Sequence, residues 1–230
     1  MDKPTSGPTG RAADAVPVSS TAEVGMRIRR ERERRGMSLR ELARRAGLSP
    51  SLVSQIETGK SEPSVSSLAA IVGEIGLSLN ELVFGEEPQK PAGAAQSEPQ
   101  VAGPAPPPGL SQAEGARQTI HLDSRVTWER LTAEPDHDVD FLYVTYDVGG
   151  ASTALGSLMR HQGKEYGFVI SGRLGLTVGF AHYELGPGGS ISFDSTVPHR
   201  LWNAGDEPVR AVWTVVGRRA AADAHAVELD

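Results

Sequence analysis

The stretch from Glu86 to Gly115, EEPQKPAGAAQSEPQVAGPAPPPGLSQAEG, is dominated by Pro, Gly, Ala and Gln, with almost nothing able to pack. Such a segment cannot bury enough apolar surface to offset the entropy of ordering its backbone, and it is stiffest from Pro104 to Pro108. In the middle of a 230-residue chain it rules out one continuous core. The sequence therefore divides into an N-terminal unit over 21–85, a flexible linker over 86–115 and a C-terminal unit over 116–217. Residues 1–20, rich in Pro, Ser, Thr, Ala and Gly without apolar periodicity, and residues 218–230 are predicted to be disordered or weakly ordered tails.

The two units differ in charge. The net charge of −6 comes from residues 86–230, which carry 11 basic and 19 acidic side chains, whereas residues 21–85 carry 10 basic and 8 acidic. Arg27, Arg29, Arg30, Arg32, Arg34, Arg35, Arg40, Arg44, Arg45 and Lys60 put positive potential on a small surface and point to a polyanionic partner. For Arg29 to Arg35 alone, interleaved with Glu31 and Glu33, a solvated helix face is the simpler reading. No cysteine is present, which excludes disulfides, thiolate zinc sites and cysteine nucleophiles and fits a reducing cytosol. Without a signal segment at the start or an apolar run of about 18 to 20 residues, the chain is expected to be soluble and cytoplasmic, with no membrane partner.

From Thr21 to Phe84 the periodicity is helical, and Gly36, Gly47, Gly59 and Gly76 cut it into short pieces that accommodate five helices. Ser38 and Glu41 have the spacing of a capping box ahead of Leu39, Leu42, Ala43 and Ala46, and this helix stops at Gly47. Ser49 is a favourable N-cap, Pro50 suits the first helical position, and Gly59 suits the end. Two helices joined by a tight glycine turn result. At about 100° per residue from Ser51, Val53 falls near 200° and Ile56 near 140°, while Ser54 falls near 300° and Gln55 near 40°. Val53 and Ile56 are expected to pack on the preceding helix and on Val65, Leu68, Ala69, Val72 and Ile75.

Ser51, Ser54 and Gln55 then project outward from the N-terminal half of the helix, where a major-groove helix presents its base-reading side chains. Gln can bridge N6 and N7 of adenine, and Ser can donate or accept. Ser38, Arg40, Arg44, Ser49, Thr58 and Lys60 flank this face as candidate phosphate contacts, which fix register without reading sequence. Thr58 is equally suited to ending its own helix.

The stretch MSLRELARRAGLSPSLVSQIETGKSEPSVSSLAAIVGEIGLSLNELV resembles the lambda-repressor-like, or XRE-type, helix-turn-helix family along essentially its whole length. Ser38, Leu42, Ala43, Gly47, Leu48, Ser49, Val53, Ile56, Glu57, Gly59, Lys60, Pro63 and Leu68 carry the match. The resemblance implies a five-helix DNA-binding domain in which Ser49 to Gly59 is the recognition helix.

Beyond the linker the pattern changes. FLYVTYDV, YGFVISG, LGLTVGF, SISF and PVRAVWTVV are β-branched or aromatic runs bounded by Gly and Pro, which argues for an all-β sandwich or small barrel. Met159, His161 and Glu165 share parity, so on a continuous strand they would face the same way, and His199 lies on a later strand. Two imidazoles and a carboxylate from adjacent strands suit Fe(II), Mn(II), Ni(II) or Zn(II) with open coordination positions. Equally, His161 and Glu165 could form a polar pair that binds an organic effector directly. Strand alternation should place some of Arg160, Tyr166, Arg200 and Trp202 outside the barrel.

HQGKEYGFVISGRLGL and ELGPGGSISFDSTVPHRLWNAGDEPV resemble the two motifs of the cupin barrel, in the version fused to XRE-type domains, over about residues 118–217. His161, Glu165 and Gly172 match the first motif, and Pro198, His199 and Asn203 the second. The resemblance implies metal positions at His161, Glu165 and His199. Met159 stands in the place of the first motif histidine and is expected to line the pocket, because a thioether is a soft ligand for these ions. Ser190 replaces a common Asp.

The combined reading is a transcriptional regulator that binds a double-stranded operator as a homodimer and senses a small-molecule effector in its cupin domain. With a flexible linker, rearrangement of a cupin-mediated dimer is the expected route of transmission. The alternative is a mononuclear metal-dependent oxygenase or epoxidase on the same architecture, with His161, Glu165 and His199 as its facial triad. No phosphate-binding loop and no nucleophile elbow is present.

Overall fold

The computed structural model describes residues 20–77, 82–83, 111–112 and 114–217. Both predicted tails, apart from Ser20, and most of the predicted linker lie outside the described residues. At the linker's end, Gln112 Nε2 donates to the Arg130 carbonyl, and a 3-10 turn, Glu114–Ala116, leads into the second unit.

The N-terminal unit contains α1 (Thr21–Arg34), α2 (Leu39–Ala46), α3 (Pro50–Glu57) and α4 (Val65–Ile75). Four helices are thus described where five were expected; Leu82 and Val83 beyond them are helical and fully buried. Each helix starts at a serine whose hydroxyl accepts a free first-turn amide. Ser20 receives Glu23, Ser38 receives Glu41, Ser49 receives Leu52 and Ser64 receives Ser67. The reciprocal capping box forms at Ser20 and Glu23 rather than at Ser38 and Glu41, because the Glu41 carboxylate is held by Arg44 and Arg45 at 3.0 and 2.6 Å. Gly47 and Gly76 end α2 and α4 at φ of 66° and 57°, the left-handed conformation that glycine adopts without steric cost.

α3 packs on α1 and α2. The approach of α1 to α3 is so close at Gly25 that a Cβ there would lie 2.1 Å from the Ile56 carbonyl oxygen. Arg32 of α1, expected on a solvated face, is buried and paired with Glu57 of α3.

The C-terminal unit is two antiparallel sheets packed face to face. Its strands are β1 (Thr119–Leu122), β2 (Val126–Arg130), β3 (Val139–Tyr146), β4 (Lys164–Ser171), β5 (Leu174–Val178), β6 (Ala181–Leu185), β7 (Ser190–Asp194), β8 (His199–Asn203) and β9 (Val209–Val216). One sheet runs β1-β2-β3-β9-β4-β7 and the other β6-β5-β8. Alternate residues face inward, giving Leu142, Val144 and Tyr146 from β3, Glu165 and Val169 from β4, and Ala211, Trp213 and Val215 from β9.

The two units touch directly. The first amides of α4 are completed by the barrel: Val65 N–H donates to Ser124 Oγ at 3.4 Å and Ser66 N–H to the Ser152 carbonyl at 3.2 Å. Asp123 N–H donates to the Pro63 carbonyl at 3.3 Å. Val65 and Ala69, expected to receive Val53 and Ile56, also line the barrel's cavity.

Candidate functional site

The outward face of α3 is arranged as its helical wheel requires. Val53 and Ile56 are fully buried, Ser51 and Gln55 are exposed, and Ser54 is half-buried. Among the flanking candidates, Arg40, Arg44, Ser49, Thr58 and Lys60 are all exposed. Some are already engaged. Ser38 and Ser49 accept helix amides, Arg44 meets Glu41, and the Thr58 hydroxyl donates to the Ser54 and Gln55 carbonyls at 2.8 and 3.3 Å. Thr58 therefore does end its own helix. Gly59 at φ 67° packs its Cα against Ala22 of α1, leaving no room for a Cβ, and turns the chain toward Lys60.

In the barrel, His161, Glu165 and His199 converge, by a route different from the expected one. β4 begins only at Lys164, and Gly163 at φ 110° bends the chain before it, so His161 reaches Glu165 from a loop and not from one continuous strand. His199 belongs to the opposite sheet, so the ligand set bridges the two sheets and does not lie on neighbouring strands. Glu165 Oε1 stands 2.9 Å from His161 Nε2 and 3.2 Å from His199 Nε2, and its other oxygen accepts the Trp213 indole N–H at 2.7 Å. The rings of His161 and His199 meet edge to face with centroids 5.2 Å apart.

His161 Nδ1 lies 3.0 Å from the Gln162 carbonyl and His199 Nδ1 lies 2.9 Å from the Val197 carbonyl. A carbonyl can only accept, so Nδ1 carries the proton and the Nε2 lone pair of each neutral ring points inward. Buried Glu165 Oε1 and His199 Nε2 are consequently two acceptors face to face, close together but not hydrogen-bonded. A proton or a cation among them removes the conflict. Burial by itself would raise the Glu165 carboxyl; with a proton in place among the three, the hydrogen bonds and charge it brings from the His161 and His199 side outweigh burial and hold the group well below the usual carboxylate range. Burial and the Glu165 charge together push the Tyr146 phenol upward.

These three side chains fit a metal ion. Donors about 2.1 Å from one ion stand roughly 3 Å apart, which is the spacing found around Glu165 Oε1, and all three ligand atoms lie within 4.8 Å of one another. Met159 lines the same cavity and pairs through its backbone with His199 at 2.9 and 2.8 Å. Tyr166 and Arg160 are exposed and take no part in the cavity, and Arg200 stacks over Trp202, 4.9 Å from its ring.

Comparison with known proteins gives two family matches, a helix-turn-helix over residues 28–82 and a cupin domain over residues 142–215. The HTH-type transcriptional regulator PuuR of Escherichia coli (strain K12) is 32% identical over 181 residues, spanning 78% of this chain and 86% of that protein. The chain belongs to the XRE-type helix-turn-helix regulators that carry a cupin domain. An immunity repressor protein of Bacillus phage phi105 is 39% identical over 64 residues, 28% of this chain and 44% of its own length. A crystal structure of an HTH_3 family transcriptional regulator from Vibrio cholerae shares the fold, with a TM-score of 0.61 and 20% identity over 86% of this chain and 96% of that one. As a member of this family, the chain is a DNA-binding transcriptional regulator. Among the described residues, no helix is long and apolar enough to cross a membrane.

Residues that surround the site were not singled out by the sequence. Trp213 sits on a predicted strand, but its bond to Glu165 depends on β4 lying beside β9. Gly167 makes that possible: the Trp213 ring occupies the space where a Cβ would be, 2.0 Å away. Phe193, whose ring centroid is 5.1 Å from that of His199, was legible only as part of a strand.

Proposed function

We propose that this regulator reads a pseudo-palindromic operator as a homodimer, with Ser51, Ser54 and Gln55 contacting base edges and Ser38, Arg40, Arg44, Ser49, Thr58 and Lys60 positioned against phosphates. The observation that carries this reading is the division of α3, with Ser51 and Gln55 in solvent opposite fully buried Val53 and Ile56. A helix held from behind and polar in front suits insertion into a major groove, and two copies would sit about 34 Å apart, one turn of DNA.

In this reading the cupin barrel is the sensor, with an effector pocket made by Met159, His161, Glu165 and His199. His161, Glu165 and His199 form a donor set suited to Fe, Mn, Ni or Zn, which would supply a Lewis-acidic anchor for an oxygen or nitrogen of the effector. Without metal, the same carboxylate and imidazoles offer hydrogen bonds. The barrel binds and reports, and the family membership favours this over catalysis. Selection of bound sequences from a random DNA pool by the purified protein tests the proposal. The expected result is an inverted repeat with half-sites one turn apart; recovery of no consensus would overturn it.

A further inference from the structure

The wall of the barrel pocket is not made by the barrel alone. Val65 and Ala69, in the first turns of α4, line it together with Met159, Leu201, His161 and Glu165. With α4 seated, the cavity offers about 40 Å³. A water molecule takes roughly 10 to 15 Å³ on that measure, and a benzene-sized ligand needs about 150 Å³. With α4 seated, this interior space therefore holds a few waters or an ion, and a ring or several carbons do not fit within it beside Val65.

The seat is also weak. Its two backbone–backbone hydrogen bonds, at 3.2 and 3.3 Å, and the one to Ser124 Oγ, at 3.4 Å, lie at or beyond the long end of the usual range. The Val65 and Ser66 amides are first-turn donors that water satisfies equally well once α4 leaves. By contrast, Leu68, Ile71, Val72 and Ile75 of α4 are buried inside the helical domain, so α4 would leave the barrel with that domain and not unravel.

We propose that the first turn of α4 is a built-in plug for the sensor pocket, and that a small organic effector and the docked DNA-binding domain compete for the same space. This rests on the reading of the barrel as a sensor and supplies its route of transmission: occupancy releases the helical domain from the barrel, with no need for a stiff linker. The loop that carries Lys60 is anchored through the Pro63 carbonyl and is freed in the same step. A ligand can shift such an equilibrium only because its affinities for the two states differ, and the overlap with Val65 supplies that difference.

The chain has no cysteine, so nitroxides can be placed on Arg29→Cys and Tyr183→Cys, both on exposed sites of opposite units. Pulsed electron-spin distances in the full-length protein, diluted with unlabelled chain, then report docking. A single narrow distance is expected for the parent. Leu201→Trp, which fills the pocket from the barrel side, should broaden and lengthen it, and adding Val65→Ala should restore the narrow distance by returning the volume. Ala69→Trp, which fills the pocket from the helix side, should also release the domain and covers the case in which Leu201→Trp fails to fold. A broad distribution in the parent, or unchanged distances in both folded filler variants, overturns the plug. Operator binding by the same variants separates the two readings. Release with unaltered DNA affinity keeps the plug and removes the sensor coupling, whereas DNA affinity altered by the filler variants at unchanged distances keeps the sensor and removes the plug.

Discussion

Arg32 of α1 and Glu57 of α3 form a buried two-pronged ion pair, Nε to Oε1 at 2.6 Å and Nη2 to Oε2 at 2.9 Å, with Arg32 Nη1 also donating to the Met37 carbonyl at 2.8 Å. The pair fixes α3 against α1, whose backbones approach closely at Gly25. Both side chains are almost wholly withdrawn from water, so neither is tolerable without the other. Glu57→Ala should cost about 3 to 5 kcal/mol of domain stability by stranding the guanidinium, whereas replacing both residues with apolar ones of similar volume should recover most of it. Urea unfolding followed by far-ultraviolet circular dichroism measures both; a Glu57→Ala midpoint equal to that of the parent would show the pair to be dispensable.

Gln55 and Lys60 should separate specificity from affinity. Gln55 is exposed at the front of α3, and Gln55→Ala should cost about 1 to 3 kcal/mol at its cognate base while relaxing the preference there. Lys60→Ala should weaken all sequences more evenly and flatten the salt dependence by about one phosphate contact. Fluorescence anisotropy with the selected operator and single-base variants, across a salt series, checks both. Unaltered base discrimination in Gln55→Ala would reassign that side chain to the backbone.

Glu165 gives the barrel an acid limb. Its carboxyl is held below the ordinary range, so the stabilisation it contributes is fully present above the unfolded value of about 4.3 and is lost as pH falls toward the lower folded value. The difference in unfolding midpoint between the parent and Glu165→Gln should therefore be steady near neutrality and shrink below about pH 4. The same substitution should abolish uptake of Co(II), used as a spectroscopic stand-in for the native ion. A pH-independent difference would mean that the carboxylate is not held in its charged form by His161 and His199.

How much of this could be read beforehand depended on the range of the forces. The helical unit is specified by local chemistry: serine caps, left-handed glycines and the wheel of α3 lie within a few residues of what they control. On β3, β4 and β9 the alternation is visible because each has a buried and an exposed face. β6 has no such signal, since four of its five residues are exposed, and β2 hides its alternation by burying Arg130. Arg32 looked like its exposed neighbours because Glu57, 25 residues away, decides its environment. The ligand triad was legible as a set of residue types, but the way His161 and His199 reach Glu165 depends on the bend at Gly163 and on the packing of two sheets. Val65 and Ala69 carry the apolar spacing of a domain core, and only the docking of α4 reveals that they close a pocket in the other unit.

The contact between Gly167 and Trp213 provides a last test, because it links a backbone feature to the chemistry of the site. Gly167 faces Trp213 across the β4–β9 pairing, and a methyl group there would lie 2.0 Å from the indole ring, well inside van der Waals contact. The flexible end of a side chain could move aside; this is a rigid ring wedged in the core, 6% exposed, with its N–H committed to Glu165 Oε2. Gly167→Ala should therefore cost about 1 to 3 kcal/mol through overpacking and should also tilt the indole off the carboxylate, leaving Glu165 with one fewer donor. The expected signature is a lower melting temperature together with weaker Co(II) binding and a red-shifted tryptophan emission, whereas Trp213→Phe should weaken the metal without the steric cost. If Gly167→Ala melts like the parent and binds Co(II) unchanged, the ring is free to move and does not position Glu165.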